Sequence, residues 1–259
     1  MRFLASQCRF ALIIASLLLT TNTFAGGYLS NHHKHRLSFP ELPYISYVSF
    51  PSASGSDPIT ISAQLRIPKG YEKENIPAVI IMHGSAGVDS RGSLYALALN
   101  KAGIATLEVD LWAARGWVGS VTGRPNTVPE TVPDAFGALK FLATQPGVNA
   151  EKIGLMGFSW GGVITMLAAT TPYSDQFGEG LSFASHMANY PVCWAYNVVP
   201  GYEFYDLTGA PVLIQSGELD TYQIRVAILL VLYPARLKAY SAIVNTVMPH
   251  MHGIGYNQK

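Results

Sequence analysis

The 259-residue chain is 49% hydrophobic and 13% charged, a composition that supports a sizeable core and excludes an intrinsically disordered protein. Its formal net charge is +1, and the 17 basic residues are scattered rather than grouped into a block or stripe. Binding to nucleic acid or to an anionic membrane surface is therefore not expected, and we predict a small-molecule partner.

The chain begins with a pattern typical of a secretory signal peptide. Arg2 and Arg9 form a basic start, the apolar run 10–19 follows, and Thr23 and Ala25 stand at the third and first positions before the expected cut. The apolar run of about ten residues is shorter than the roughly 17 to 25 that a membrane-spanning helix needs. We predict cleavage after Ala25, so that residues 1–25 are removed, export to the periplasm or the medium, and no stable membrane insertion.

Residues 26–43 are polar and lack periodicity, which predicts a flexible lead-in before a single domain at residues 44–259. The lead-in contains His32, His33 and His35. No carboxylate or further histidine lies near them at the spacing of metal ligands, so we expect a solvated tail and no metal site.

The domain opens with two alternating, β-rich segments, Tyr44–Phe50 and Ile59–Pro68, which predict an antiparallel strand pair. Strand and helix patterns then alternate, which predicts an α/β fold with a doubly wound, mostly parallel sheet and helices on both faces. The further predicted elements are a strand at Pro77–His83, a helix near Ser90–Ala102, a strand at Ile104–Asp110, a helix near Thr131–Thr144, a strand from Ile153, a helix from Trp160 to about Thr170, and strands at Phe183–Asn189 and Ala210–Ser216.

The segment "GFSWG" at Gly157–Gly161 predicts a nucleophile elbow, because it lies between a buried strand and a helix. Glycines two residues before and two after Ser159 allow a turn that a side chain would obstruct. Ser159 is therefore the candidate nucleophile. The helix that starts at Trp160 directs backbone N–H groups towards the same place, so the Trp160 amide is a candidate oxyanion donor.

A second oxyanion donor is expected from the glycine-rich loop "HGSAG", which follows the Pro77–His83 strand. We assign it to the amide of Ser85. His83 in the same loop, and Arg115 and Arg124 after the Asp110 strand, are candidates for substrate contact. An arginine there could bind a substrate carboxylate, although a solvent-exposed loop charge is the more common role for such a residue.

A serine needs a histidine base and a carboxylate that orients the base, and in this fold they follow in the chain order Ser, acid, His. Asp220 comes just after the Ala210–Ser216 strand, at the sheet edge where catalytic loops lie. His252, followed by a glycine near the end of the sequence, is the candidate base. The alternatives left open are Glu218 and Asp206 for the acid and His250 for the base.

With these residues in place, the chain from about residue 44 onward resembles the dienelactone hydrolase family of α/β-hydrolases. The resemblance is carried by "HGSAG", "VDLWAARG", "DAFGALKFLATQPGVNAEKIGLMGFSWGG", "PVLIQSGELD" and "MPHMHGIGY". It implies an α/β-hydrolase fold, Ser159 as nucleophile, Asp220 as acid, His252 as base, and no metal or organic cofactor. The enzymes that gave the family its name have Cys in the elbow and Glu in the loop that matches "HGSAG". This chain has neither residue, so we do not expect dienelactone to be its substrate.

These features predict an exported serine hydrolase that cleaves a small carboxylic ester or lactone through a Ser-Asp-His triad and an acyl-enzyme. Two alternatives remain open. One is a hydrolase-like binding protein without catalysis, and the other is an acyltransferase that uses the same triad.

Overall fold

A seven-stranded mixed sheet organises the computed structural model, which describes residues 42–71, 74–119, 124–192, 194–217 and 220. The predicted signal peptide, the lead-in up to residue 41, and the residues from 221 to the end lie outside this part of the chain. The candidate base, at position 252, is therefore among the residues that the structure does not describe.

The first two strands form the predicted antiparallel pair. Strand β1 is Tyr44–Pro51 and strand β2 is Thr60–Ile67, and they pair in register from Tyr44 opposite Ile67 to Pro51 opposite Thr60. Alternate residues of β2 are buried, which is why the segment alternates in hydrophobicity.

The other five strands are β3 (Ile76–Met82), β4 (Ala105–Asp110), β5 (Val148–Phe158), β6 (Ser185–Asn189) and β7 (Val212–Gln215). The strand order is β1-β2-β4-β3-β5-β6-β7. Strand β2 is antiparallel to β4, and all later neighbours are parallel. The prediction of a mostly parallel doubly wound sheet with an antiparallel opening pair is confirmed.

The helices are α1 (Ser90–Lys101), α2 (Val132–Ala143), α3 (Trp160–Leu167) and α4 (Thr171–Phe177). The helix predicted to run from Trp160 to about Thr170 ends at Leu167, and α4 follows as a separate short helix with a proline in its first turn. Within the described ranges, no helix combines the length and the apolar character that a membrane span requires.

The two faces of the sheet carry different helices. Neighbouring residues of β3 point to opposite faces: Ile80 belongs to a large core cluster and Ile81 to a smaller one. The large cluster includes Phe136 of α2 and Ile164 of α3, whereas the smaller one includes Ala96 of α1. Helices therefore cover both faces, as predicted.

Candidate active site

Ser159 adopts a strained backbone conformation between β5 and α3. Its φ is +49° and its ψ is −106°, values that an L-amino acid rarely adopts and that cost about 1–3 kcal/mol. A Cβ on Gly157 would lie 2.0 Å from the carbonyl oxygen of Gly161, and a Cβ on Gly161 would lie 2.3 Å from that of Met82. Both glycines are thus required by close backbone approach, as the "GFSWG" pattern predicts.

Hydrogen bonds tie the turn to its neighbours on both sides. The Ser159 amide donates to the carbonyl of Asn189 at the end of β6 (2.9 Å), and the Gly161 amide donates to the carbonyl of His83 (3.1 Å). The first turn of α3 is closed by the Val163 amide, which donates to the Ser159 carbonyl (2.9 Å). The serine is therefore held at the carboxyl edge of the sheet by three separate elements.

Trp160, the first residue of α3, is locked by its ring. The indole is 6% exposed, and its Nε1–H donates to Oγ1 of Thr131 (2.9 Å). The ring also packs edge-to-face on Trp112, with 5.5 Å between centroids. Because the amides of the first helical turn have no partner within the helix, a rigid Trp160 provides an N–H at the position of the predicted oxyanion donor.

The loop that follows β3 lies directly beside Ser159. A Cβ on Gly84 would lie 3.5 Å from the Ser159 Cβ and 3.3 Å from the Phe158 carbonyl oxygen. The Gly87 amide donates to the Gly84 carbonyl (3.0 Å), which closes a tight turn over Ser85. The structure therefore brings Ser85 to the same edge as Ser159, as the oxyanion prediction requires.

The chain after β4 supports this loop through three contacts. The indole N–H of Trp112 donates to the Ser85 carbonyl (3.2 Å), and a guanidinium N–H of Arg124 donates to the Ser85 hydroxyl. Gly119 packs so closely that a Cβ there would lie 2.4 Å from the Ala86 carbonyl oxygen. Ser85 is thus restrained at its carbonyl and at its hydroxyl.

Arg124 also lies over the ring of Trp160, with 5.0 Å from the guanidinium carbon to the ring centroid, a cation–π distance. The structure therefore brings four predicted site residues together, namely Ser159, Ser85, Trp160 and Arg124.

His83 has a structural role instead of the predicted contact with substrate. The side chain is 5% exposed; Nε2 accepts a hydrogen bond from the Leu111 amide (3.0 Å), and Nδ1 lies 2.7 Å from the Gly84 carbonyl oxygen. These partners require the Nδ1–H tautomer. Burial lowers the pKa of His83, although the hydrogen bond to Gly84 and the nearby Asp110 carboxylate oppose this shift. Nε2 therefore joins the ends of β3 and β4, and Nδ1 holds the ring against its own loop.

Arg115 is likewise engaged inside the protein rather than presented to a substrate. Its Nη1 lies 2.7 Å from Oδ2 of the fully buried Asp134 and 2.9 Å from the Leu111 carbonyl, and its Nη2 lies 3.3 Å from the second carboxylate oxygen. Burial raises the pKa of Asp134, and the Arg115 hydrogen bonds act in the opposite direction. This bidentate pair favours a structural role for Arg115.

The structure places the acid candidates Asp220 and Asp206 in different parts of the domain. Strand β7 lies beside β6 and runs parallel to it, with Gln215 opposite Asn189, so the loop containing Asp220 leaves from the same sheet edge as Ser159. Asp206 lies at the other end of α3, where its carbonyl accepts the Thr171 amide (2.7 Å). An eight-residue helix is about 12 Å long, and this length separates Asp206 from Ser159. Glu218, His250 and His252 lie outside the described residues.

Sequence inspection misses a polar cluster on the other side of the elbow. The Arg91 guanidinium donates to both Asp89 carboxylate oxygens and to the Tyr190 hydroxyl, and it lies 6.0 Å from the Phe158 ring centroid. A Cβ on Gly84 would lie 3.9 Å from Arg91 Nη2, so this cation is close to the loop that follows β3. Burial raises the pKa of Tyr190, and Arg91 opposes the shift. Only the helix-capping position of Asp89 is visible in the sequence; its link to Tyr190 is not.

A strained serine after a central parallel strand, a helix that starts behind it and a glycine loop beside it match the fold and the strand–turn–helix elbow of an α/β-hydrolase. No group of three or more potential metal-ligating side chains occurs in the part of the chain that the structure describes. The sequence model of the "Dienelactone hydrolase family" matches residues 61–224. The chain belongs to the dienelactone hydrolase family, and the predicted resemblance is confirmed.

Two known proteins are similar to this chain in sequence over part of its length. An uncharacterized protein of Pseudomonas aeruginosa is 32% identical over 110 residues, which are 40% of this chain and 29% of that protein. A Bradyrhizobium protein named "Probable 2-oxo-3-(5-oxofuran-2-ylidene)propanoate lactonase" is 29% identical over 157 residues, 57% of this chain and 60% of that protein. The chain thus spans less than two thirds of either of these relatives.

The crystal structure of an esterase from Pyrobaculum calidifontis matches 78% of this chain and 76% of its own, with a TM-score of 0.58 and 18% identity. At that identity the likeness concerns the fold.

Proposed function

We propose that the protein is an exported serine hydrolase that cleaves a small carboxylic ester or lactone. The observation that carries the proposal is the strained Ser159, with the Ser85 loop on one side and the first turn of α3 on the other. Family membership and the lactonase name of one relative support the reaction class. The signal-peptide pattern supports export.

In the proposed reaction, Ser159 Oγ attacks the carbonyl carbon while His252 accepts the hydroxyl proton, and Asp220 orients and stabilises the imidazole. The tetrahedral intermediate collapses when the C–O bond to the alcohol breaks, and the alcohol takes the proton from His252. Water then attacks the acyl carbon while His252 accepts a proton from it; the bond from that carbon to Ser159 Oγ breaks, Oγ takes the proton back from His252, and the acid is released. With a lactone, the alcohol and the acid remain one molecule.

The amides of Trp160 and Ser85 are proposed to bind the oxyanion. Rigidity supports this assignment, because preorganised donors stabilise a developing charge without moving. The Trp160 ring is held by Thr131, and the Ser85 carbonyl is held by Trp112. Removal of one such donor in other hydrolases costs about 10²–10³ in kcat.

Hydrolysis of p-nitrophenyl acetate and of a simple γ-lactone by the purified protein tests the proposal. We expect Ser159→Ala to abolish turnover without lowering the thermal unfolding temperature. Ser56→Ala, in the exposed loop between β1 and β2, is the matched control and should keep full activity.

Turnover that persists in Ser159→Ala, or a folded wild-type protein with no turnover of any ester or lactone, would contradict the proposal. The second result would favour the hydrolase-like binding protein. Product analysis with an added alcohol distinguishes hydrolysis from acyl transfer, because a transferase forms a new ester in place of the free acid.

A further inference from the structure

One guanidinium contacts both residues that are proposed to donate to the oxyanion. Arg124 donates to the Ser85 hydroxyl from one nitrogen, and its guanidinium carbon lies over the Trp160 ring, 5.0 Å from the ring centroid. Ser85 and Trp160 belong to different elements, the loop after β3 and the first turn of α3. The Arg124 side chain therefore bridges these two elements from the side of the Ser85 hydroxyl, and the Trp112 ring bridges them from the side of the Ser85 carbonyl.

The positive charge of Arg124 has no carboxylate partner within ion-pair distance among the described residues. The two other arginines near the site differ in this respect, because Arg91 is paired with Asp89 and Arg115 with Asp134. A half-buried cation that has no carboxylate partner among the described residues, beside the proposed oxyanion donors, is favourable when negative charge develops there, because the field of a charge is stronger where water is partly excluded.

We propose that Arg124 is a positioning residue of the oxyanion hole. Its side chain holds the Ser85 loop and Trp160 at a fixed separation, and its positive charge lies close to the oxyanion of the transition state. This inference rests on the proposed hydrolase function. In this role Arg124 affects the oxyanion that forms with every substrate, whereas a carboxylate-binding arginine would affect only anionic substrates.

The contrast between a neutral and an anionic ester tests the proposal. We would measure kcat and KM on p-nitrophenyl acetate and on p-nitrophenyl hemisuccinate for wild type, Arg124→Met and Arg124→Lys. Lys69→Met is the matched control, because Lys69 also lies over an aromatic ring, that of Tyr44, at the opposite edge of the sheet (5.7 Å).

We expect Arg124→Met to lower kcat on both esters by a similar factor, about tenfold or more, with little change in KM. Arg124→Lys should fall between wild type and Arg124→Met, because lysine keeps the charge but presents no planar group to Trp160. Lys69→Met should match wild type.

A second comparison separates positioning through Ser85 from a general effect on folding. Ser85→Ala removes the hydroxyl and keeps the backbone amide. If Arg124 acts partly through that hydroxyl, the losses in kcat are not additive, and Arg124→Met/Ser85→Ala falls less than the product of the two single effects.

Three results would overturn the inference. They are unchanged kcat on both esters in Arg124→Met, a loss confined to the KM of the anionic ester, and fully additive losses in the double variant. If Arg124→Met does not fold, Arg124→Lys and Ser85→Ala take its place. Each of them must lower kcat on the neutral and the anionic ester by the same factor, and an unchanged kcat would overturn the inference. An inactive wild type would remove the proposed function and this inference with it, whereas an active wild type with an unaffected Arg124→Met removes the inference alone.

Discussion

A buried histidine far from the proposed chemistry should make the stability of this protein depend on pH. His186 of β6 is 2% exposed, its ring packs edge-to-face on Phe183, and neither ring nitrogen has a well-formed hydrogen bond within the described residues. Burial lowers the pKa of His186 to about 4, and the backbone near Ala168 and Pro211 opposes the shift only in part. The folded protein therefore keeps this imidazole neutral in mildly acidic solution.

The magnitude follows from the difference between the two protonation equilibria. In the unfolded chain the pKa is near 6.5, and between that value and about 4 only the unfolded state binds the proton. Stability from the neutral ring is thus fully present above about pH 6.5 and is lost as the pH falls towards 4. At about 1.4 kcal/mol per pH unit, the total loss is about 3 kcal/mol.

Urea denaturation at several pH values between 4 and 7.5, followed by far-ultraviolet circular dichroism, measures this loss. Between pH 7.5 and 4, the free energy of unfolding of His186→Leu should fall by about 3 kcal/mol less than that of wild type, because leucine cannot take up a proton. Other groups, including His83, titrate in both proteins and cancel in the comparison. Equal slopes in wild type and His186→Leu would show that His186 is not the buried neutral group described above.

Three further predictions concern the elbow, the buried ion pair and the base. Gly161→Ala should give little folded protein and no esterase activity, because its Cβ would lie 2.3 Å from a β3 carbonyl oxygen; normal yield and turnover would contradict this. Arg115→Met should lower the free energy of unfolding by about 3–5 kcal/mol, since it leaves the Asp134 carboxyl buried and unpaired. In Arg115→Met/Asp134→Leu much of that loss should be recovered, as urea denaturation would show. His252→Ala should lower kcat by at least about 10³, whereas His250→Ala should keep most activity; the reverse order would reassign the base.

The glycine positions of the turn at Ser159 and the buried strands could be predicted from the sequence. The glycines around Ser159 are demanded by contacts of 2.0 and 2.3 Å between backbone atoms, and such contacts leave a local pattern in the chain. The buried strands were visible for a similar reason, because burial on both faces requires continuous apolar runs. Strand β5 begins at Val148, five residues earlier than expected, because residues 149–152 are mostly polar and at least partly exposed and so separate Val148 from the apolar run.

Side-chain partners were less predictable, because they depend on contacts between distant parts of the chain. Arg115 appeared to be a loop charge, but α2 presents the buried Asp134 to it from 19 residues away. Arg91 and Tyr190 are 99 residues apart and meet only because α1 begins beside the end of β6. A list of arginines near a predicted loop therefore does not distinguish a cation that pairs internally from one that faces the site.

The most direct test is to treat the folded protein with a fluorophosphonate probe and map the modified residue by mass spectrometry. The predicted result is a single adduct on the peptide that contains Ser159, with no labelling of Ser159→Ala. An adduct on a different residue, or a folded and esterolytic protein that resists the probe, would contradict Ser159 as the nucleophile.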